Sequence, residues 1–218
     1  MNDTKNILLK KITCLCCTAV ISSTALTVFA SEYADMPDDW SRESLEWAAE
    51  LGIITGDGGY IYPESYVTRA QLAAMLVRTF GFAGNGTGGF TDVAETDWFA
   101  PYVSAAAEYG FMSGSGGIFR PNDNVTRQEA ITAIARAFSV APSETELYGF
   151  ADVGETADWA KGYFAALTER GVISGNGNML YPLSNITKKE TAAVIKRCAE
   201  LPELPVRESD GSLWTPVY

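Results

Sequence analysis

The sequence predicts a mainly α fold, built as three helix–loop–helix repeats that close around a shared axis. Three observations predict it. Val67-Thr68-Arg69-Ala70-Gln71 returns as Val125-Thr126-Arg127-Gln128-Glu129 and again as Ile186-Thr187-Lys188-Lys189-Glu190. Trp40, Trp98 and Trp159 are each followed 16 residues later by Gly56, Gly114 and Gly175, and seven further on by Pro63, Pro121 and Pro182. The copies themselves stand 58 and then 61 residues apart, so length varies only in the linkers. A two-helix unit is too small to bury its apolar stripe alone, and three of them around an axis can do so.

The chain begins with a segment that reads as outside this fold. Lys5, Lys10 and Lys11 precede an uncharged run over residues 12–29, and Val28-Phe29-Ala30 offers small or apolar residues for a cleavage before Ser31. Residues 1–30 are therefore expected to be a signal peptide and the protein to be exported. The run of 18 residues is close to the length of a membrane span, which leaves an uncleaved anchor as the alternative. Cys14, Cys16 and Cys17 precede most of the apolar run, which argues against a lipid-attachment site. Cys198 is the remaining cysteine, so no disulfide within the mature chain is expected.

The repeats are expected over residues 36–81, 90–138 and 150–201, with linkers at 81–89 and 139–149 rich in glycine, serine, proline and acid. The second unit opens with Phe90-Thr91-Asp92-Val93 and the third with Phe150-Ala151-Asp152-Val153, read as an aromatic and a capping acid. The first unit offers Met36-Pro37-Asp38 in their place. A first helix follows, with Leu45, Ala48 and Ala49 matched by Val103, Ala106 and Ala107 on one stripe. Gly52, Gly110 and Gly171 are placed to end it, because glycine accepts the left-handed conformation there. The apolar pairs Ile53-Ile54, Phe111-Met112 and Val172-Ile173 then turn back to the core. A glycine-rich turn leads to a short extended piece ending at Pro63, Pro121 or Pro182, each proline being expected to hold its predecessor extended.

The second helix starts at the repeated motif. Thr68, Thr126 and Thr187 are candidate N-caps, and Gln71, Glu129 and Glu190 can reach back to complete capping boxes. Its core face carries Leu72, Met75, Leu76 and Phe80 in the first copy, Ile131, Ile134, Ala135 and Phe138 in the second, and Val194 and Ile195 in the third. Either the second helices or the first could form the central bundle. The tail, residues 202–218, contains Pro202, Pro205 and Pro216 and is expected to be extended or disordered.

Charge narrows the functions. The net charge of -11 argues against nucleic acid and against an anionic membrane surface. With no histidine, imidazole catalysis and histidine metal sites are excluded, and the glycine-rich loops are too poor in carboxylates for an EF-hand. No metal and no cofactor are expected.

The residue after each threonine cap is Arg69, Arg127 or Lys188. A cation there faces the positive end of the helix dipole. Its recurrence suggests an anion bound at the helix N-terminus by free N–H groups and the adjacent cation. The plainer reading is that each cation pairs with a neighbouring repeat or lies in water. Trp40, Trp98 and Trp159 read equally as groove aromatics for stacking sugars or as core. Gly56, Gly114 and Gly175 read as permitting close approach of a ligand or simply as turn residues.

Taken together, Phe-x-Asp-Val, the tryptophan, the Gly-apolar-apolar-x-Gly run, the x-Pro and the Val/Ile-Thr-Arg-x-Glu motif resemble the S-layer homology domain in three tandem copies. The resemblance covers roughly residues 36–201 and implies a three-pronged, pseudo-threefold assembly around a central three-helix bundle. It also implies grooves between units that bind secondary cell-wall polymers, often pyruvylated N-acetylmannosamine glycans, whose carboxylate suits a basic groove. The family's basic contact carries over to Arg69 and Arg127. Lys188 departs from it, a point charge replacing a planar fork, so a weaker third site is expected, with Lys189 as a candidate helper.

The expected function is thus non-covalent, non-enzymatic cell-wall anchoring at the bacterial surface, with cell-wall polysaccharide as partner. The alternative is a protein-interaction or surface-lattice component. A glycan hydrolase would need two carboxylates at a set separation. Asp39, Asp97 and Asp158, one per unit, read as caps instead.

Overall fold

The computed structural model describes residues 33–82, 84–202, 206–207 and 213–214; the expected signal segment lies outside them. Among the described residues six α-helices carry the structure: α1 (Arg42–Glu50), α2 (Arg69–Phe80), α3 (Ala100–Glu108), α4 (Arg127–Ala137), α5 (Asp158–Glu169) and α6 (Lys188–Ala199). A 3₁₀ turn, Val153–Glu155, precedes α5. In the tail two short extended pieces, β1 (Val206–Arg207) and β2 (Leu213–Trp214), pair antiparallel with Val206 opposite Trp214. Among the described residues no helix is long and apolar enough to cross a membrane.

The second helices begin as the sequence predicts. Thr68, Thr126 and Thr187 each accept the N–H three residues on, and Gln71, Glu129 and Glu190 each reach back, so all three capping boxes form. The first helices end at Gly52, Gly110 and Gly171, with φ of 66°, 72° and 68°. Past each glycine the chain closes back on the helix: Ile53 N–H donates to Ala48 O, Phe111 to Ala106 O and Val172 to Leu167 O. This tucks Ile53-Ile54, Phe111-Met112 and Val172-Ile173 into the core.

The partners of the helices run in a cycle. α2 packs on α3 of the next unit, α4 on α5, and α6 returns to α1, while α4 touches both α2 and α6. The second helices therefore meet at the centre. Their starts are tied by a closed ring of backbone hydrogen bonds: Val67 N–H to Ile186 O at 3.0 Å, Ile186 N–H to Val125 O at 3.1 Å, and Val125 N–H to Val67 O at 2.9 Å. These three residues are fully buried. Cys198 packs on the same core, and burial pushes its thiol up to about 12, leaving it a protonated packing atom.

Two expectations about the extended pieces need correction. The residues before the prolines are left-handed: Tyr62, Arg120 and Tyr181 have φ of 55°, 61° and 55°. And the opening aspartates do not cap helices. Asp92 accepts the N–H groups of Phe119 and Arg120 at 2.8 and 2.7 Å, and Asp152 accepts those of Leu180 and Tyr181. Each carboxylate holds the left-handed residue and its predecessor. Asp35 does the same for Ile61 and Tyr62, both at 2.7 Å, so the first unit opens on Tyr33-Ala34-Asp35-Met36 like its sisters. Tyr33 replaces phenylalanine, and its hydroxyl accepts from Gly56 N–H.

Candidate functional site: grooves built from three repeats

The helix N-termini are closed to an anion. Arg69 N–H donates to Asp123 O and Ala70 N–H to Pro121 O; Arg127 and Gln128 donate to Ser184 O and Pro182 O; Lys188 and Lys189 donate to Ser65 O and Pro63 O. The third N–H of each helix is taken by the threonine hydroxyl. The first-turn donors are thus spent on the next unit, and the expected anion site at free N–H groups does not exist.

The cations that follow the caps also reach across. Arg69 Nε donates to Phe119 O at 2.7 Å and its Nη2 to Ser113 O at 2.8 Å, while the guanidinium lies over the Phe119 ring. Lys188 Nζ makes the matching bond to Ile61 O at 2.7 Å. Satisfied carbonyls explain how a cation is tolerated at the first helical position. Arg69 and Arg127 also face the capping-box acid of the next unit, at 3.7 Å from Glu129 and 3.9 Å from Glu190. Lys188 shares its groove with Gln71, the uncharged counterpart of those acids, and among the described residues no carboxylate lies within ion-pair distance of it. Burial lowers the pKa of all three, partly offset by Glu129 for Arg69, by Glu190 for Arg127 and by the longer-range charge of Asp35 for Lys188. Lys189 does not share the work of Lys188: it pairs with Asp39 and Glu64 of the first unit.

Among the described residues, two grooves lie open beside Lys188 and Arg127. One, of about 260 Å³, is lined by Lys188 from the third unit, by Gly56, Asp57, Gln71 and Arg78 from the first, and by Trp98 from the second. The other, of about 590 Å³, takes Arg127 from the second unit, Gly175, Glu190 and Arg197 from the third, and Trp40 from the first. Each is built from all three repeats. Arg69, bonded to Ser113 beside Gly114, holds the matching position between the first and second units.

The tryptophans are surface residues, not core: Trp40, Trp98 and Trp159 are 58%, 56% and 50% exposed. The glycines are explained by packing. A Cβ on Gly56 would strike Tyr60 O and the Tyr33 ring, one on Gly114 would strike Ile118 O and the Phe90 ring, and one on Gly175 would strike Met179 O and the Phe150 ring.

A second set of cations was not anticipated. Arg78, Arg136 and Arg197 each stand ten residues past the threonine cap, a recurrence visible in the sequence once the register is set. Arg78 lies over the Tyr102 ring at 4.7 Å and Arg136 over Tyr163 at 5.7 Å. Ser44 holds the corresponding place in the first unit, and Arg197 donates instead to Val172 O at 3.0 Å. Each open groove therefore carries two cations, one from each of two neighbouring units, with an exposed indole from the remaining one.

Fold and grooves together define a repeat module closed into a ring, with basic clefts where the units meet. The chain belongs to the S-layer homology domain family, whose model matches residues 32–73, 89–131 and 149–192, together more than half of its length. The first match begins ahead of Tyr33 and Asp35. Similar proteins include an amylopullulanase of Thermoanaerobacterium thermosulfurigenes, 32% identical over 75% of this chain and 9% of its own. An exoglucanase XynX of Acetivibrio thermocellus is 32% identical over 75% of this chain and 16% of its own. The S-layer protein sap of Bacillus anthracis is 26% identical over 90% of this chain and 24% of its own. The chain thus spans between about a tenth and a quarter of the length of these relatives, and the two that carry enzyme names align over the repeats alone.

Proposed function

We propose that the protein is a non-enzymatic anchoring module that holds to the bacterial cell surface by binding an anionic cell-wall polysaccharide, of the pyruvylated type, in its inter-repeat grooves. The observation that carries this reading is the convergence of two cations and an exposed indole in one cleft. A sugar acid offers a carboxylate to the cations and an apolar C–H face to the ring, and neither alone would select it. The Arg127 groove, with its larger volume and two planar guanidinium groups at Arg127 and Arg197, is the principal site. The Lys188 groove is the secondary one. Arg69, with two donors spent on carbonyls, serves mainly to hold the first unit to the second. The names of relatives such as the S-layer protein sap support a surface location, and participation in a surface lattice with other surface-layer proteins is the second reading.

Co-sedimentation of the chain with cell walls of Gram-positive type, before and after acid extraction of the secondary polymer, tests the proposal. Binding is expected before extraction and not after it. Arg127→Ala is expected to weaken binding roughly tenfold or more, the worth of a charge-assisted hydrogen bond, and Lys188→Ala to weaken it less. Equal binding to extracted walls would point to peptidoglycan. Indifference to both substitutions would remove the grooves from the account.

A further inference from the structure

The Lys188 groove is small. Ligand clefts commonly run from about 300 to 1,000 Å³, and at about 260 Å³ this one has room for the charged sugar of a chain and little else. A polymer seated there must lay its neighbouring residue on the surface beside the groove. At the Lys188 end that surface is aromatic. Lys188 Nζ lies 5.6 Å from the centre of the Tyr62 ring, and Tyr62 packs against Tyr60 with centres 5.8 Å apart and planes tilted by 30°. Both rings are close to half exposed, at 45% for Tyr60 and 44% for Tyr62.

The backbone that carries the pair is held by hydrogen bonds on both sides. Asp57, which lines the groove, exchanges two backbone hydrogen bonds with Tyr60, at 2.9 and 3.0 Å. Tyr62 N–H is held by Asp35 at 2.7 Å. Aromatic rings fixed in advance bind at low entropic cost, and their hydroxyls can serve the hydroxyls of a sugar. The other units lack the pair: Ile118 and Arg120 stand at these positions in the second, Met179 and Tyr181 in the third. Because the groove is the one with lysine in place of arginine, an added stacking surface falls where the charge contact is least directional.

We propose that Tyr60 and Tyr62 form a second subsite of the Lys188 groove, which stacks the pyranose ring adjoining the charged residue held inside. This rests on the reading of the grooves as glycan sites. It makes the Lys188 groove a reader of two or more linked sugars, with specificity for the neighbour as well as for the acid.

Calorimetric titration tests it, using acid-released wall polymer and its single-residue hydrolysate against the full chain carrying Arg127→Ala, which disables the larger groove. Tyr60→Ala with Tyr62→Asn removes both rings, asparagine being chosen because it tolerates the left-handed backbone at that position. The polymer affinity is expected to fall by about tenfold, at an unchanged thermal midpoint, from the loss of two stacking contacts. Affinity for the single residue should stay as it was, and Tyr60→Phe with Tyr62→Phe should retain most of the polymer binding. Unaltered polymer affinity in the ring-deleted chain overturns the subsite. So does an equal loss for polymer and single residue, which would mean that the rings act through Lys188. If the unsubstituted chain binds neither ligand, the glycan reading of the grooves fails and the subsite falls with it.

Discussion

At the scale of single residues, the three opening aspartates decide whether the groove-side loops hold their shape. A non-glycine residue at positive φ costs of the order of 1–3 kcal/mol, and Tyr62, Arg120 and Tyr181 each adopt it. What over-determines the strain is a carboxylate taking two backbone N–H groups in a row. For Asp92 burial raises the carboxyl pKa, but the N–H groups of Phe119 and Arg120 outweigh it and hold the group below its ordinary value. Asp152 is the most enclosed, at 4% exposed, so its loss leaves two N–H groups with little water to replace it. Asp152→Ala is expected to cost about 2–3 kcal/mol by urea unfolding, and Asp92→Ala less, because Asp92 is exposed. Equal costs would mean that the carboxylates act by shaping the loop backbone alone. The sequence showed these acids but not their role, since each partner lies 26 to 29 residues further on. It hid Asp35 for a different reason: tyrosine stands where the sister units have phenylalanine, and the pattern is recognisable only once Tyr33 is seen on Gly56.

At the scale of helices, what was legible is what is local. The capping boxes connect residues three apart, and the terminating glycines act on their own helix, so both could be read directly. The fate of the first-turn N–H groups could not, because their acceptors belong to another repeat. Nor could the exposure of the tryptophans, since a position beside a helix start does not say which way the indole points. The helix pair that closes the cycle, α6 on α1, differs from the other two in its chemistry. Lys196 ties α6 to Glu43 of α1, and Lys189 pairs with Asp39 and Glu64 of the first unit on either side of α1, where α2–α3 and α4–α5 have arginines over tyrosine rings. Glu43 is held below its ordinary value by the hydrogen bond from Lys196, and Asp39 by the hydroxyl of Ser41, with Lys189 adding to it. Depressed carboxyls stabilise the fold above their unfolded value of about 4 and stop doing so as pH falls through the folded one. Lys189 is raised, by Glu64 first; burial would lower Lys196, and Glu200 and Glu43 more than reverse it. Raised lysines stabilise below their unfolded value of about 10.4 and lose that contribution as pH climbs through the folded one. The α6–α1 contact is therefore expected to be indifferent to pH between about 5 and 9 and to weaken at both extremes. Hydrogen exchange resolved by helix should show α1 and α6 losing protection first in acid. With Lys189→Ala and Lys196→Ala that difference between helices should shrink; if α3 and α4 open as early as α1 in the unsubstituted chain, the ion pairs are not what sets the order.

For the whole molecule, closure has a functional consequence that a chain of independent repeats would not have. The need to close was legible, because a single unit cannot bury faces such as Leu45 with Ala48 or Ile131 with Ile134, all fully enclosed here. Which helices meet inside was not, and the ring through Val67, Ile186 and Val125 assigns that place to the second helices. As a result neither of the two grooves described belongs to one repeat. The larger takes Arg127, Gly175 and Trp40 from three different units, and the smaller takes Lys188, Gly56 and Trp98. Deleting the third unit by ending the chain at residue 149 therefore removes the cation from one groove and the glycine turn from the other. It also uncovers the faces of α1 and α4 on which α6 and α5 pack. Wall binding by that shortened chain is expected to vanish entirely, with helical circular dichroism reduced and the thermal transition broadened. Trp98→Ala in the full chain is the contrasting case, because it touches one groove and leaves the closed core alone; its expected effect is a partial loss of binding with an unchanged melting curve. A shortened chain that still bound walls at about two thirds of the full capacity, a linear share, would show each repeat to carry its own site, and the assembly of grooves across three units would have no part in recognition.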